Sequence, residues 1–196
     1  MLRAFMEQDK KQQLVETALM LFYRHGVHAV GINQILEQSA IAKKTLYHHF
    51  ISKDELLMAT LGLRHQRFYQ WLEQQLTSAD PAHPAEKLFD ALTLWFEGKA
   101  EVLGPFFGCY FQNCAAEYHG PDSAVLALCA QHKLKIRDLV NTHLQSYQLS
   151  EQAQSLLLSG VMMLKEGAIS MALLQQDASA AQQAKQQFGL LLKALS

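Results

Sequence analysis

Residues 39–57 read SAIAKKTLYHHFISKDELL, and this stretch gathers Lys43, Lys44, Lys53, the hydroxyls of Thr45 and Tyr47, and the imidazoles of His48 and His49. Ammonium groups at Lys43 and Lys44 can donate to guanine O6 and N7 or to phosphate. The hydroxyls of Thr45 and Tyr47 suit contacts to a sugar–phosphate backbone. Lys53, placed where a helix start exposes backbone N–H groups, adds a cation to an arrangement that binds anions. One partner answers to all three chemistries, double-stranded DNA. A second group is aromatic and sulfur-rich: Trp95, Phe107, Cys109, Tyr110, Cys114 and Met163 are residue types that either fill a helical core or line an apolar ligand cavity. Cys109 precedes a helical stretch, where the macrodipole would favour the reactive thiolate; it is the candidate for an electrophile-sensing thiol. Cys129 and His132 share one helix face, but no CxxC or second paired element accompanies them, so no metal site is expected.

These side chains need helices to hold them. Apolar residues at Leu14, Val15, Ala18, Leu21 and Phe22 form the stripe of an amphipathic helix running from Lys10 to His25, and Gly26 follows as its left-handed terminus. Gly31 opens a short helix with Ile32, Ile35 and Leu36 inward, ending near Ser39. A third short helix covers AKKTLYHH, with Leu46 and Phe50 on one face. Two short helices joined by a three-residue turn and packed by Ile35, Ile41 and Leu46 make a helix-turn-helix, whose second helix enters the major groove. Ser52–Glu55 has the form of a capping box: Ser52 accepts from the Glu55 N–H, and the Glu55 carboxylate returns to the Ser52 N–H.

A long helix is expected from there to about Leu76, then a loop over TSADPAHP (77–84) and a helix over 85–102. GPFFG and HGPDS bracket a helical segment at 108–118. Further helices are expected at 123–147, 151–175 and 178–195, with Ser150 and Asp177 as N-caps of the last two. No strand-like alternation persists. The fold class is all-α with about nine helices, divided into a DNA-binding domain at 1–52 and an effector-binding and dimerisation domain at 53–196.

The chain has 196 residues and a formal net charge of −1. Its first 67 residues are net basic and its remainder net acidic, which places a polyanion at the front third. Three cysteines without regular spacing give no disulfide framework, and the N-terminus has no apolar signal-peptide core. The longest apolar stretch, 155–174, carries Lys165 and Glu166 at its centre, so it reads as a buried interface helix and not a membrane span. A cytoplasmic location with reduced thiols follows.

The run LFYRHGVHAVGINQILEQSAIAKKTLYHHFISKDELL resembles the N-terminal DNA-binding domain of the TetR/AcrR family of transcriptional regulators, most specifically at TLYHHF-x-SK-x-ELL. The resemblance implies a homodimeric repressor that leaves an inverted-repeat (palindromic) operator when a small molecule binds its C-terminal domain. It places Lys43 and Lys44 at base-reading positions, Thr45, Tyr47 and Lys53 at phosphates, His49 near the backbone and His48 within reach of either. A Gly-Cys pair at 108–109 is similar to one found in many members, some of which sense electrophiles through cysteine. The chain departs from the family in having Val30-Gly31 before the second helix and Ala40 and Ala42 in the turn; Ala42 forgoes a cap worth about 1 kcal/mol. Dimerisation is expected through 151–175, with Gly160, Gly167, Leu157, Val161, Leu164 and Ala168, and through 178–195, with Ala184, Phe188, Leu191, Leu192 and Leu195, as a four-helix bundle. The rival readings are a constitutive DNA-binding protein without an effector and an enzyme on a helical bundle. Without an ExxH pair, an HExxH or a GxSxG, no enzymatic activity and no cofactor are expected.

Overall fold

The computed structural model describes the backbone of residues 2–77, 84–118 and 123–196, and the side chains from Asp9 onward with Pro84 excepted. The described residues form nine α-helices and no strands: α1 (Leu2–His25), α2 (Ile32–Ser39), α3 (Lys43–His49), α4 (Lys53–Thr77), α5 (Pro84–Phe96), α6 (Tyr110–Glu117), α7 (Ala124–Leu144), α8 (Glu151–Gln175) and α9 (Ala180–Leu195), with 3-10 turns at Glu101–Leu103 and Gln145–Tyr147. The expected loops at 77–84 and 119–123 lie largely outside the described residues. Two compact units emerge. One comprises residues up to Gln66 with Cys109–His132, and the other Arg67–Gly108 with Lys133–Ser196. The boundary expected at residue 53 falls inside the first unit, which takes in the start of α4.

In the first unit α1 packs on α2 and α3. Leu14, Ala18 and Phe22 are buried as the stripe predicts, and Ile35, Ile41, Leu46 and Phe50 close the core of the helix-turn-helix. Leu21 is only half-buried, whereas Leu19 and Tyr23 are buried, so the inward stripe is rotated slightly from the expected one. Gly26 ends α1 at φ +87, with its N–H donating to the Phe22 carbonyl at 2.9 Å. The α2–α3 turn makes the opposite choice, since Ala40 adopts φ 53, a left-handed conformation that crowds its Cβ. Ala40→Gly should therefore raise the unfolding free energy by about 0.5–1 kcal/mol, read as a higher urea midpoint at unchanged m-value.

In the second unit α9 packs on α8 and α5. Its aromatic core joins Trp95 to Phe68 and Phe106, with ring centroids 5.1 and 5.0 Å away, and Phe89 to Phe188 at 5.9 Å. Three expectations change here. Helix α5 stops at Phe96 rather than 102, because Gly98 turns at φ 71 and its N–H takes the Trp95 carbonyl at 3.1 Å. Asp177 does not cap α9. Its carboxylate accepts from the Ser179 N–H and hydroxyl, each at 2.8 Å, in a turn that delays the helix to Ala180. Ser150 does cap α8, accepting from the Ala153 N–H at 3.3 Å.

The third change concerns the expected dimer face. Leu157, Val161, Ala168, Ala184 and Phe188 are buried within the chain, and a Cβ on Gly160 would collide with Leu191, so this face seats α8 against α9 of the same protomer. Leu156, Met163, Gly167 and Leu174 form a separate, exposed stripe on α8 at helical spacing. Helix α8 is long and apolar enough to cross a membrane by length and composition, yet it carries Lys165 and Glu166 mid-helix and buries Lys165 along with Leu157, Leu158, Val161, Ala168 and Ile169.

Candidate nucleic-acid interface

Helix α3 begins after Ala42, whose extended backbone (φ −65, ψ 143) serves as N-cap without a side-chain hydrogen bond. Lys43, Lys44, Tyr47 and His48 are exposed, Thr45 and His49 half-buried, while Leu46 and Phe50 anchor the opposite face. The short helix thus turns every expected base-reading side chain outward and keeps its apolar ones in. Tyr47 is 45% exposed. The His48 and His49 rings lie edge to face at 5.2 Å, and His49 meets Phe50 at 6.4 Å. Lys11 of α1 lies 5.5 Å over the Phe50 ring, a cation the motif itself does not announce.

The corner between α3 and α4 is fixed by a modified capping box. Ser52 Oγ accepts from the Glu55 N–H at 3.1 Å as expected, but the Glu55 carboxylate returns to the Ile51 N–H, at 2.6 Å, instead of that of Ser52. Lys53 is half-buried over Phe22, and its ammonium donates to the Val27 carbonyl at 2.6 Å. Burial lowers its pKa, opposed by the Glu117 and Asp54 carboxylates. Lys53 therefore serves the fold with one of its three donors, a role the sequence did not suggest.

Glu117, at the end of α6, is the residue that sequence reasoning missed. Its carboxylate accepts from the Val27 N–H at 2.7 Å and the His28 N–H at 2.6 Å, and lies 3.3 Å from His28 Nδ1. Tyr118 stacks on the His28 ring at 5.3 Å and donates its hydroxyl to Asp54 at 2.8 Å. Burial, followed by the Asp54 contact, raises the Tyr118 pKa. The turn that leads from α1 into the helix-turn-helix is thus clamped by a segment about ninety residues downstream. Nothing local marks such a clamp in a sequence.

The expected effector residues separate into different surroundings. Cys109 is the N-cap of α6 and, like Tyr110 and Cys114, is buried in the first unit. Tyr110 shares a 2.7 Å hydrogen bond with Thr60 and meets Tyr23 edge to face at 5.7 Å, while the Arg64 guanidinium sits 4.7 Å over Tyr23. Burial pushes the Cys114 thiol far above its ordinary range, so its thiolate is scarce at neutral pH. All three cysteines are buried thiols outside any disulfide. His132 stacks on Phe111 with ring centroids 3.5 Å apart, and its Nδ1 lies 3.0 Å from His65 Nδ1. Trp95 is buried and Phe107 half-buried in the second unit. Met163 departs from the expectation of a cavity wall: it is 72% exposed, because it falls on the outward stripe of α8, and it lines an open groove of about 530 Å³ with Arg137, Ser155, Ser159, Met162 and Glu166. Among the described residues, no three His, Cys, Asp or Glu side chains converge on a metal position.

Comparison with known proteins places this geometry. Residues 14–60 match the family described as bacterial regulatory proteins, tetR family. The chain is 28% identical over 98 residues to the uncharacterized HTH-type transcriptional regulator YxaF of Bacillus subtilis, and 25% identical over 92 residues to the probable acrEF/envCD operon repressor of Escherichia coli. These matches take in 49% and 47% of this chain and only 51% and 41% of the relatives. The chain thus spans about half the length, or less, of these curated relatives. Solved structures extend the likeness to the whole fold. SCO4454, a TetR-family transcriptional regulator from Streptomyces coelicolor, superposes with a TM-score of 0.85 at 23% identity, covering 96% of this chain and 97% of that one. A TetR transcriptional regulator from Chloroflexus aurantiacus gives 0.81 at 19%, covering 95% and 96%. These relatives are regulators of transcription rather than enzymes, in keeping with the absence of catalytic motifs from the sequence. Over residues 14–60 the chain matches the tetR family of bacterial regulatory proteins, and its fold is similar to that of solved TetR-family regulators.

Proposed function

We propose that the chain is a DNA-binding transcriptional regulator, acting in the cytoplasm as a homodimeric repressor of a palindromic operator and released by a small-molecule effector. The observation that carries this reading is the outward face of α3, where Lys43 and Lys44 stand exposed at the end of the helix that meets base edges. Thr45, Tyr47, His49 and Lys53 are assigned to the sugar–phosphate backbone, and His48 to either. The exposed apolar stripe Leu156, Met163 and Leu174 on α8 supports a two-fold contact between copies. The domain division proposed is functional: DNA reading in residues 1–52, effector response and dimerisation in 53–196. The effector is an apolar or electrophilic small molecule, and Cys109 is the thiol assigned to an electrophile, since Cys114 is held protonated.

The test is fluorescence anisotropy of the full chain against the DNA upstream of its own gene, with scrambled DNA as control. Selective binding is expected. Lys43→Ala and Lys44→Ala should each cost about 1–3 kcal/mol and relax selectivity, whereas Tyr47→Phe should weaken both duplexes alike. Equal affinity of the wild-type chain for both duplexes would favour a constitutive, non-selective binder. Loss of binding on electrophile treatment, spared by Cys109→Ser, would assign the sensing thiol.

A further inference from the structure

The corner between α3 and α4 carries an apolar side chain that the fold does not use. Ile51 is 86% exposed, the most exposed of the large apolar residues among those described. Its position is held from both sides. Phe50 before it is buried at 2%, and the backbone N–H of Ile51 itself is taken by the Glu55 carboxylate at 2.6 Å. The side chain therefore cannot fold back to the core without breaking the start of α4, so its exposure is built into the corner. A β-branched side chain also loses little rotamer freedom when it is covered, because χ1 is already restricted.

The residues around it say what covers it. Ile51 continues, just beyond the end of α3, the exposed series Lys44, Tyr47 and His48, and it precedes the cap of α4 and Lys53. The geometry points to Ile51 as a DNA contact of this chain, packing on the deoxyribose rim of the groove next to the phosphates approached by Tyr47 and Lys53. This rests on the DNA-binding reading above. Base edges are met by the N-terminal residues of a recognition helix. A residue beyond its C-terminal end lies at the groove wall, where the apolar surface is sugar rather than the thymine methyl. The contact is apolar, so it contributes affinity that depends on neither sequence nor salt, in contrast to the lysines, whose contribution arises from counterion release.

Ile51→Ser and Ile51→Lys, each measured on the full-length chain against several unrelated 20-base-pair duplexes over a range of salt, separate the outcomes. Ile51→Ser is expected to leave the melting temperature unchanged and to weaken binding to every duplex by about fivefold to tenfold, the value of burying about half of one such side chain. The slope of log K against log salt should stay that of the wild type. Ile51→Lys, reaching the adjacent phosphate, should steepen that slope by about 0.9, and Ile51→Leu should retain wild-type affinity. Unchanged affinity in Ile51→Ser would overturn the contact. A loss confined to thymine-rich duplexes would overturn the sugar assignment in favour of a methyl contact. A wild-type chain that binds no duplex at low salt would remove the DNA reading itself, a result visible before any variant is compared.

Discussion

Replacing Glu117 with alanine should lower the unfolding free energy by about 2–3 kcal/mol and weaken DNA binding at the same time. The carboxylate accepts two backbone N–H groups, from Val27 and His28, at 2.7 and 2.6 Å. Hydrogen bonds to charged groups contribute about 1.5–3 kcal/mol each, but the His28 N–H regains water when the carboxylate is lost, whereas the N–H of Val27, a residue only 1% exposed, does not do so freely. Glu117→Gln keeps one acceptor oxygen, and about half the loss is expected. Urea unfolding checks the first number. The second effect follows from Lys53, whose ammonium donates to the Val27 carbonyl: a turn that is no longer clamped no longer fixes this cation, and the salt slope of DNA binding should become shallower. The opposing change, Gly26→Ala, would place a Cβ 3.2 Å from the Glu117 carboxylate at a φ of +87, and it should loosen the same turn from the other side.

Glu166→Ala should be at least as damaging, by about 3 kcal/mol. The ammonium of Lys165, a residue 2% exposed, donates to Glu166 Oε1 at 2.6 Å, and Lys133 donates to Oε2 at the same distance. Removing one member of a buried ion pair costs about 3–5 kcal/mol; Glu166 is 28% exposed, so water softens the loss toward the lower end. Replacing both partners, as in Lys165→Met with Glu166→Gln, should recover most of the stability, since the cost lies in the stranded charge and not in the missing attraction. The pH dependence has a definite sign. Burial would raise the Glu166 pKa, but the two lysines outweigh it and hold the carboxyl below its ordinary value. Its contribution is therefore present above pH ~4.5 and lost as pH falls through the lower, folded value. Glu166→Gln should show a shallower loss of stability in that acid range, measured as urea midpoints against pH.

The parts of this protein that were legible in its sequence are those specified within one or two helical turns. Gly26, Ser52 and Ser150 each act on N–H or carbonyl groups a few residues away, so their roles could be read from spacing alone. The helix-turn-helix was legible because Ile35, Ile41 and Leu46 are local to one another and the lysines sit at a fixed distance from them. Glu117 lay beyond such reasoning, since its partners are joined to it only by the folded chain. The apolar faces of α8 and α9 illustrate a different difficulty. Periodicity reveals that a helix has an apolar side, but packing within the protomer and packing between copies use the same residue types. Only burial separates Leu157 and Val161, which face inward, from Leu156 and Met163, which do not. The surroundings of the cysteines were hidden for a third reason: burial pushes the Cys114 thiol up, and desolvation depends on everything packed around the sulfur.

The contact between His65 and His132 has a consequence for where protons reside. Their Nδ1 atoms meet at 3.0 Å, so one ring must present Nδ1–H and the other a bare Nδ1 lone pair. When both rings are neutral, the receiving ring carries its own proton on Nε2, and the two imidazoles are unlike tautomers. A seam drawn with two copies of one residue type is thus chemically one-sided. For the two neutral rings to exchange roles, the shared proton must cross while the accepting ring gives up its Nε2 proton and the lending ring takes one up at its own Nε2.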